Sequence, residues 1–187
     1  VPAGGTELRN LIAELPGRSA RKEVIIVGAH YDTVPGCPGA NSGGTGVAAA
    51  LALAQAFAGD PQARAIRFVF FVNEEPPYFG TEEMGSRLYA KRCSSREEKI
   101  VAMISLDSLG YFSDERSSQS YPEGIDTKLP NQGNFIALLG DSNAKFRADS
   151  ASNIITRETG LPAVSAYIPG LHSDEVSFAR YNYPSIL

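Results

Sequence analysis

A layered α/β fold is predicted for this 187-residue chain by three observations. Short apolar runs rich in Val, Ile and Phe alternate with helix-like segments along the whole sequence. Several of those runs show no polar alternation, as expected of strands buried on both faces. Imidazole and carboxylate side chains stand just after the runs, where the loops of an open α/β sheet gather ligands.

Taken in order, Glu23 to Ala29 is a β-branched run and reads as a first central strand. Gly46 to Ala58 is Ala- and Leu-rich on nearly every side, which predicts a helix packed closely on a sheet. Ile66 to Val72 reads as a second central strand. Thr81 is the expected N-cap of a helix reaching Arg92, with Glu82 and Glu83 suiting its positive end. Lys99 to Leu106 is a third strand, and Ser113 to Gly133 is a long polar loop with two prolines, of the kind that is functional or mobile. Phe135 to Leu139 is a strand, Asn143 to Thr159 a helix closed by Gly160 and Pro162, and Ala163 to Ile168 a further strand. A short helix comes after Ser173. No repeat, linker or low-complexity segment interrupts the chain, so residues 1–187 are expected to form a single domain.

Composition narrows the function. Hydrophobic residues at 43% and charged residues at 20% fit a globular chain, not a disordered one. The net charge is −4, and no basic block or aromatic–basic interleaving is present, which argues against nucleic acid as a partner. The longest apolar stretch, Val47 to Ala58, falls short of the roughly 20 residues that span a bilayer and lies too far along for a signal peptide. Cys37 and Cys93 are too few for a disulfide framework or a Cys-type zinc site. The opening at Val1 without Met, and the close inside the apolar run Tyr183 to Leu187, lead one to expect cuts through a longer protein at both ends.

The chemistry collects at four strand ends. His30-Tyr31-Asp32 comes after the first strand, Asn73-Glu74-Glu75 after the second, Asp107 after the third, and Pro169-Gly170-Leu171-His172 after the last. Each residue alone suits a turn or cap equally well. Together they bring both histidines of the chain and several carboxylates toward one crevice. Paired glutamates at the end of a buried Phe- and Val-rich strand need a cation or water to offset their burial, and no Arg or Lys run lies nearby in sequence. Mixed His and carboxylate ligands without Cys suit zinc or a similar divalent ion.

These segments, with Pro38-Gly39-Ala40-Asn41-Ser42-Gly43-Gly44-Thr45-Gly46 and His172-Ser173-Asp174, resemble in order and spacing the M28 family of zinc metallopeptidases, from about Leu11 to Leu187. The resemblance implies a three-layer α/β/α domain with a mostly parallel mixed central sheet, of the phosphorylase/hydrolase-like kind. It implies an aminopeptidase that takes a peptide substrate with a free N-terminus, and two zinc ions. On that pattern His30 and Asp107 hold one zinc, and Glu75 and His172 the other. Glu74 is the general base toward a metal-activated water, and Asp32 orients His30. The family also continues beyond this point with a closing helix.

One position departs from the pattern. The family places an Asp where this chain has Ser42, and that Asp bridges the two metals. A neutral, shorter hydroxyl supplies neither the charge nor the two oxygens of a bridge, so weaker metal binding and reduced activity are expected. Ser42 equally favours a catalytically weakened, peptidase-like domain acting in binding. A mononuclear-zinc, glutaminyl-cyclase-like acyltransferase would need the Asp that Ser42 replaces. A serine hydrolase is disfavoured because its nucleophile elbow leaves a strand directly, and Ser42 lies well past Ala29. A phosphate-binding loop fails because Thr45 stands where its Lys belongs.

Overall fold

The computed structural model describes residues 2–3, 6–121, 129–140, 144–168 and 170–187. These divide into two compact units: 1–109 with 172–185, and 110–171 with 186–187. After two short paired strands, β1 (Pro2–Ala3) and β2 (Thr6–Glu7), the first unit runs β3 (Leu11–Leu15), β4 (Ala20–His30), α1 (Ser42–Ala58), β5 (Arg64–Phe71), α2 (Gly85–Ser95) and β6 (Lys99–Ser105). The second contains β7 (Ile136–Leu139), α3 (Lys145–Thr159) and β8 (Ala163–Ala166). The chain then returns to the first unit for α4 (Glu175–Ala179) and reaches β9 (Ser185–Ile186).

The main sheet has the order β3-β5-β4-β6-β9. β4 lies parallel to β5 and β6, while β3 runs antiparallel to β5, so the sheet is mixed. The β-branched run of β4 occupies the centre because it can bury both faces. On one face Val27, Ile66 and Phe68 meet Ala50, Ala54 and Phe57 of α1. On the other, Val24, Ile26, Val69, Phe71, Ile100 and Met103 meet Tyr89, Ala90 and Cys93 of α2 and Phe178 of α4. The first unit is therefore α/β/α in layers. Phe71, Tyr89 and Phe178 form an aromatic triangle with centroids 6.0–6.2 Å apart, beneath the end of β5 that leads to the glutamates. Truncating the fully buried Phe178 to Ala would cost about 3–5 kcal/mol.

Several expected boundaries move. α1 starts at Ser42, four residues before the expected Gly46, because tertiary packing outweighs the low helix propensity of Gly43, Gly44 and Gly46. Gly46 is required there: a Cβ on it would run into the Leu106 carbonyl oxygen. α2 starts at Gly85 with Met84 at its N-cap; Thr81 instead closes a turn, donating to Tyr78 O at 2.6 Å and accepting from Glu83 N–H at 3.1 Å. β3 carries no signal in the sequence, since four of its five residues are exposed and it lacks a clean alternation. In the second unit β7 and β8 pair in parallel across α3, which ends at Gly160 with φ 72°, the left-handed cap expected of that glycine. Residues 122–128 of the Ser113–Gly133 loop, Asn143 at the expected start of α3, and Pro169 lie outside the described residues. Cys37 is exposed, Cys93 is buried, and both are free.

Candidate metal centre

Parallel strands aim their carboxyl ends the same way, and that is how the site assembles. His30 is the last residue of β4 and pairs with Phe71, the last of β5, while Gly28 pairs with Ser105, the last of β6. Asp32, Glu74, Glu75 and Asp107 come within four residues of those ends. His30, Glu74 and Glu75 each offer a ligand atom within 4.8 Å of the others. Asp107 Oδ2 lies 3.8 Å from His30 Nε2. On the other ring nitrogen, Nδ1 is 3.6 Å from Asp32 Oδ1 and 4.0 Å from Glu74 Oε2. Asp32 accepts the backbone N–H groups of Glu74 at 3.2 Å and Glu75 at 3.0 Å, so one carboxylate faces the histidine and also grips the glutamate pair.

Ser42 sits in the midst of these groups, at the first turn of α1. Its hydroxyl donates to Glu75 Oε1 at 3.1 Å and lies 3.3 Å from His30 Nε2. Ser42, standing where the family resemblance gives a bridging Asp, thus contacts both His30 and Glu75. A Ser42–His30–Asp32 order invites comparison with a nucleophilic triad, but the Ser42 hydrogen is directed to Glu75.

Electrostatics shows what the site can hold. His30 is only 1% exposed, and burial works against its charge. The carboxylates of Asp107, Asp32 and Glu74 outweigh that cost and hold its pKa at about 11. Burial raises Glu74 to about 7, with His30 opposing and Asp107 adding to the rise. Asp107 and Asp32 are kept below the usual carboxylate range despite burial, Asp107 by His30 and Ser108, Asp32 by His30 and the two backbone amides. Four carboxylates thus surround one imidazole, and no Lys or Arg among the described residues forms an ion pair with Glu74, Glu75 or Asp107. A hard or borderline divalent cation fits this donor set.

His172 is not in the group. Its Nδ1 lies 3.4 Å from Glu175 Oε1, and its side chain is 35% exposed. The neighbouring residues matter more than the sequence suggests. The buried Ser173 hydroxyl has no hydrogen-bond partner among the described residues, yet is near enough to Glu74 and Asp107 to favour their charged forms. Asp174 is fully buried with neither oxygen hydrogen-bonded among the described residues, and burial pushes its carboxyl well above its ordinary range. Ser86, whose hydroxyl opposes that rise, is itself hydrogen-bonded to Ser177 at 2.8 Å. Only the adjacency of Ser173 and Asp174 to His172 could have flagged them.

An acidic, histidine-centred cluster at the carboxyl edge of an α/β sheet is a donor set able to take a divalent cation, at the edge where such sheets place their ligands. The profile of Peptidase family M28 matches residues 10–187, and the chain belongs to that family. It is 31% identical over 202 residues to the uncharacterized protein YfbL of Escherichia coli K12, covering all of this chain and 61% of that protein. It is 32% identical over 125 residues to aminopeptidase YwaD of Bacillus subtilis, covering 65% of this chain and 25% of YwaD. The structure of BSAP, a zinc aminopeptidase from Bacillus subtilis, superposes with a TM-score of 0.72 at 24% identity, over 95% of this chain and 38% of that one. The chain therefore spans less than two thirds of the length of each of these relatives. No described helix is long and apolar enough to cross a membrane.

Proposed function

We propose that the chain carries the catalytic centre of a zinc-dependent aminopeptidase, cleaving the first peptide bond of a substrate with a free N-terminus. The observation that carries this reading is the grouping of His30, Glu74 and Glu75, with Asp107 3.8 Å from His30 Nε2, without a basic partner for the carboxylates among the described residues. His30 and Asp107 would hold one zinc, and Glu75 would reach toward a second. His172, the other ligand expected for that second ion, stays with Glu175 here, and Ser42 replaces the bridging carboxylate. Both features support a first metal position that is well furnished and a second that is weak.

Zinc, when bound, lowers the pKa of a coordinated water and polarises the scissile carbonyl. The remaining work falls to the protein. Glu74, raised to about 7, can take a proton near neutral pH and return it to the leaving amine. Asp32 fixes the ring of His30 from the Nδ1 side and restrains Glu74 and Glu75 through their backbone amides. Ser42 supports Glu75 by its hydrogen bond but adds no charge, which is the reason to expect reduced activity.

The test is to incubate the zinc-supplemented protein with a peptide bearing a free N-terminus and with its N-acetylated twin, identifying products by mass spectrometry. Release of single N-terminal residues from the free peptide alone is expected. Equal cleavage of both would contradict an aminopeptidase, and zinc binding with no cleavage would favour a peptidase-like binding domain. Cyclisation of an N-terminal glutamine would point to the acyltransferase reading.

A further inference from the structure

Glu74 and Glu75 stand on a loop, not on a strand or helix, so their position depends on how that loop is closed. Residues 72–84 join β5 to α2, and the neck of the 73–84 loop is formed by Val72 and Gly85. Gly85 N–H donates to Val72 O at 2.8 Å. Asn10, just before the edge strand β3, spans the same two residues: its Oδ1 accepts Val72 N–H at 3.2 Å, and its Nδ2 donates to Gly85 O at 2.8 Å. The antiparallel register of β3 on β5, with Leu11 opposite Phe70, carries Asn10 to this place. The fit leaves no room, since a Cβ on Gly85 would run into Asn10 Oδ1 and stand 2.5 Å from Val72 O.

Inside the neck the chain turns through Asn73, which is buried with φ 61°, a left-handed conformation that Asn tolerates better than most residues. Its Nδ2 donates to Glu83 O at 3.2 Å, a second tie across the loop. Asp32 then holds the amides of Glu74 and Glu75. Three side chains from three parts of the sequence thus fasten one short acidic segment.

We propose that Asn10 is a positioning residue: its carboxamide clasps the neck of the 73–84 loop and so sets where Glu74 and Glu75 are presented. This rests on the reading of Glu74 as the general base. An amide is specifically required, because one end must accept and the other donate. Asp at this position would lose the donor and set a carboxylate oxygen against Gly85 O, and Ala would lose both bonds.

The test uses the zinc-supplemented protein with Asn10→Ala and Asn10→Asp. Four quantities are read: kcat and KM on an aminoacyl anilide, zinc affinity, and backbone hydrogen exchange. Both variants are expected to lose about tenfold or more in kcat, with KM within about twofold, because a small displacement of a base is costly to the chemical step. Exchange should quicken within residues 72–85 and stay unchanged in residues 64–71. Faster loop exchange with unchanged kcat would overturn the proposal, as would loss of kcat accompanied by faster exchange throughout β5, which would mark general unfolding. If the unsubstituted protein cleaves nothing, the aminopeptidase reading fails and zinc affinity judges the clasp. Weakening by severalfold in Asn10→Ala then supports it, and an unchanged affinity overturns it.

Discussion

Replacing Ser42 by Asp puts a carboxylate where the hydroxyl now lies 3.1 Å from Glu75 Oε1 and 3.3 Å from His30 Nε2. At an effective dielectric of about 20, unit charges at those separations interact by about 5 kcal/mol, repulsive toward Glu75 and attractive toward the protonated His30. The two nearly cancel in the metal-free protein. The slightly shorter separation from Glu75 and the desolvation of the new carboxylate leave a small net cost. A loss of about 1 kcal/mol is therefore expected without metal, which lowers Tm by roughly 2–4 °C in a chain of this size. With zinc the sign reverses. A surplus of about 1.4–2.8 kcal/mol over the cost of desolvating the new carboxylate tightens Kd by about ten- to a hundredfold. Calorimetric titration of zinc into both proteins, with Ser42→Ala as control, reads the change directly, and peptidase activity should rise with occupancy. Equal zinc affinity and activity in Ser42→Asp and the unsubstituted protein would refute the idea that this position limits the metal centre.

Glu74→Gln should lower kcat by about 10²-fold or more while zinc binding is retained, as measured by paired kinetics and metal analysis. Zinc affinity should rise with pH, by about tenfold per unit for each proton released, because His30 holds its proton to about 11 in the metal-free state. Metal-free stability should move the other way. The folded-state pKa values of Glu74 (about 7) and His30 (about 11) lie above their ordinary values of 4.5 and 6.5, so the stability they contribute is full below those ordinary values and is lost as pH rises toward the folded ones. Tm of the metal-free protein should consequently fall between about pH 5 and 8, with zinc abolishing the fall, as thermal melts across that range would show. A thiol reagent should modify Cys37 alone in the native chain, since Cys93 is buried with its thiol pushed up to about 11.

The site is legible in the sequence where local patterning determines it. β4, β5 and β6 are apolar runs that announce themselves, and parallel pairing brings the residues at or just beyond their ends, His30, Glu74, Glu75 and Asp107, to one edge. Ser42 can be placed by its Gly-rich surroundings, although those same glycines hide the true start of α1. What sequence does not show depends on contacts between distant residues. Asn10 acts across separations of 62 and 75 residues from beside a strand that is mostly exposed and has no periodic signal. Ser173 gains its place only when the segment before α4 comes near Glu74 and Asp107. His172, read as a ligand by its motif, lies with Glu175 instead of within the Glu74–Glu75–His30 group, a matter of side-chain placement that motif spacing does not encode.

The most direct test of a zinc-dependent peptidase centre is hydrolysis of an aminoacyl anilide, measured through one cycle of chelation and zinc addition. Activity that is lost with the chelator and returns with zinc is the expected result. Hydrolysis that persists in chelator, with a fluorophosphonate probe attached to Ser42, would contradict it.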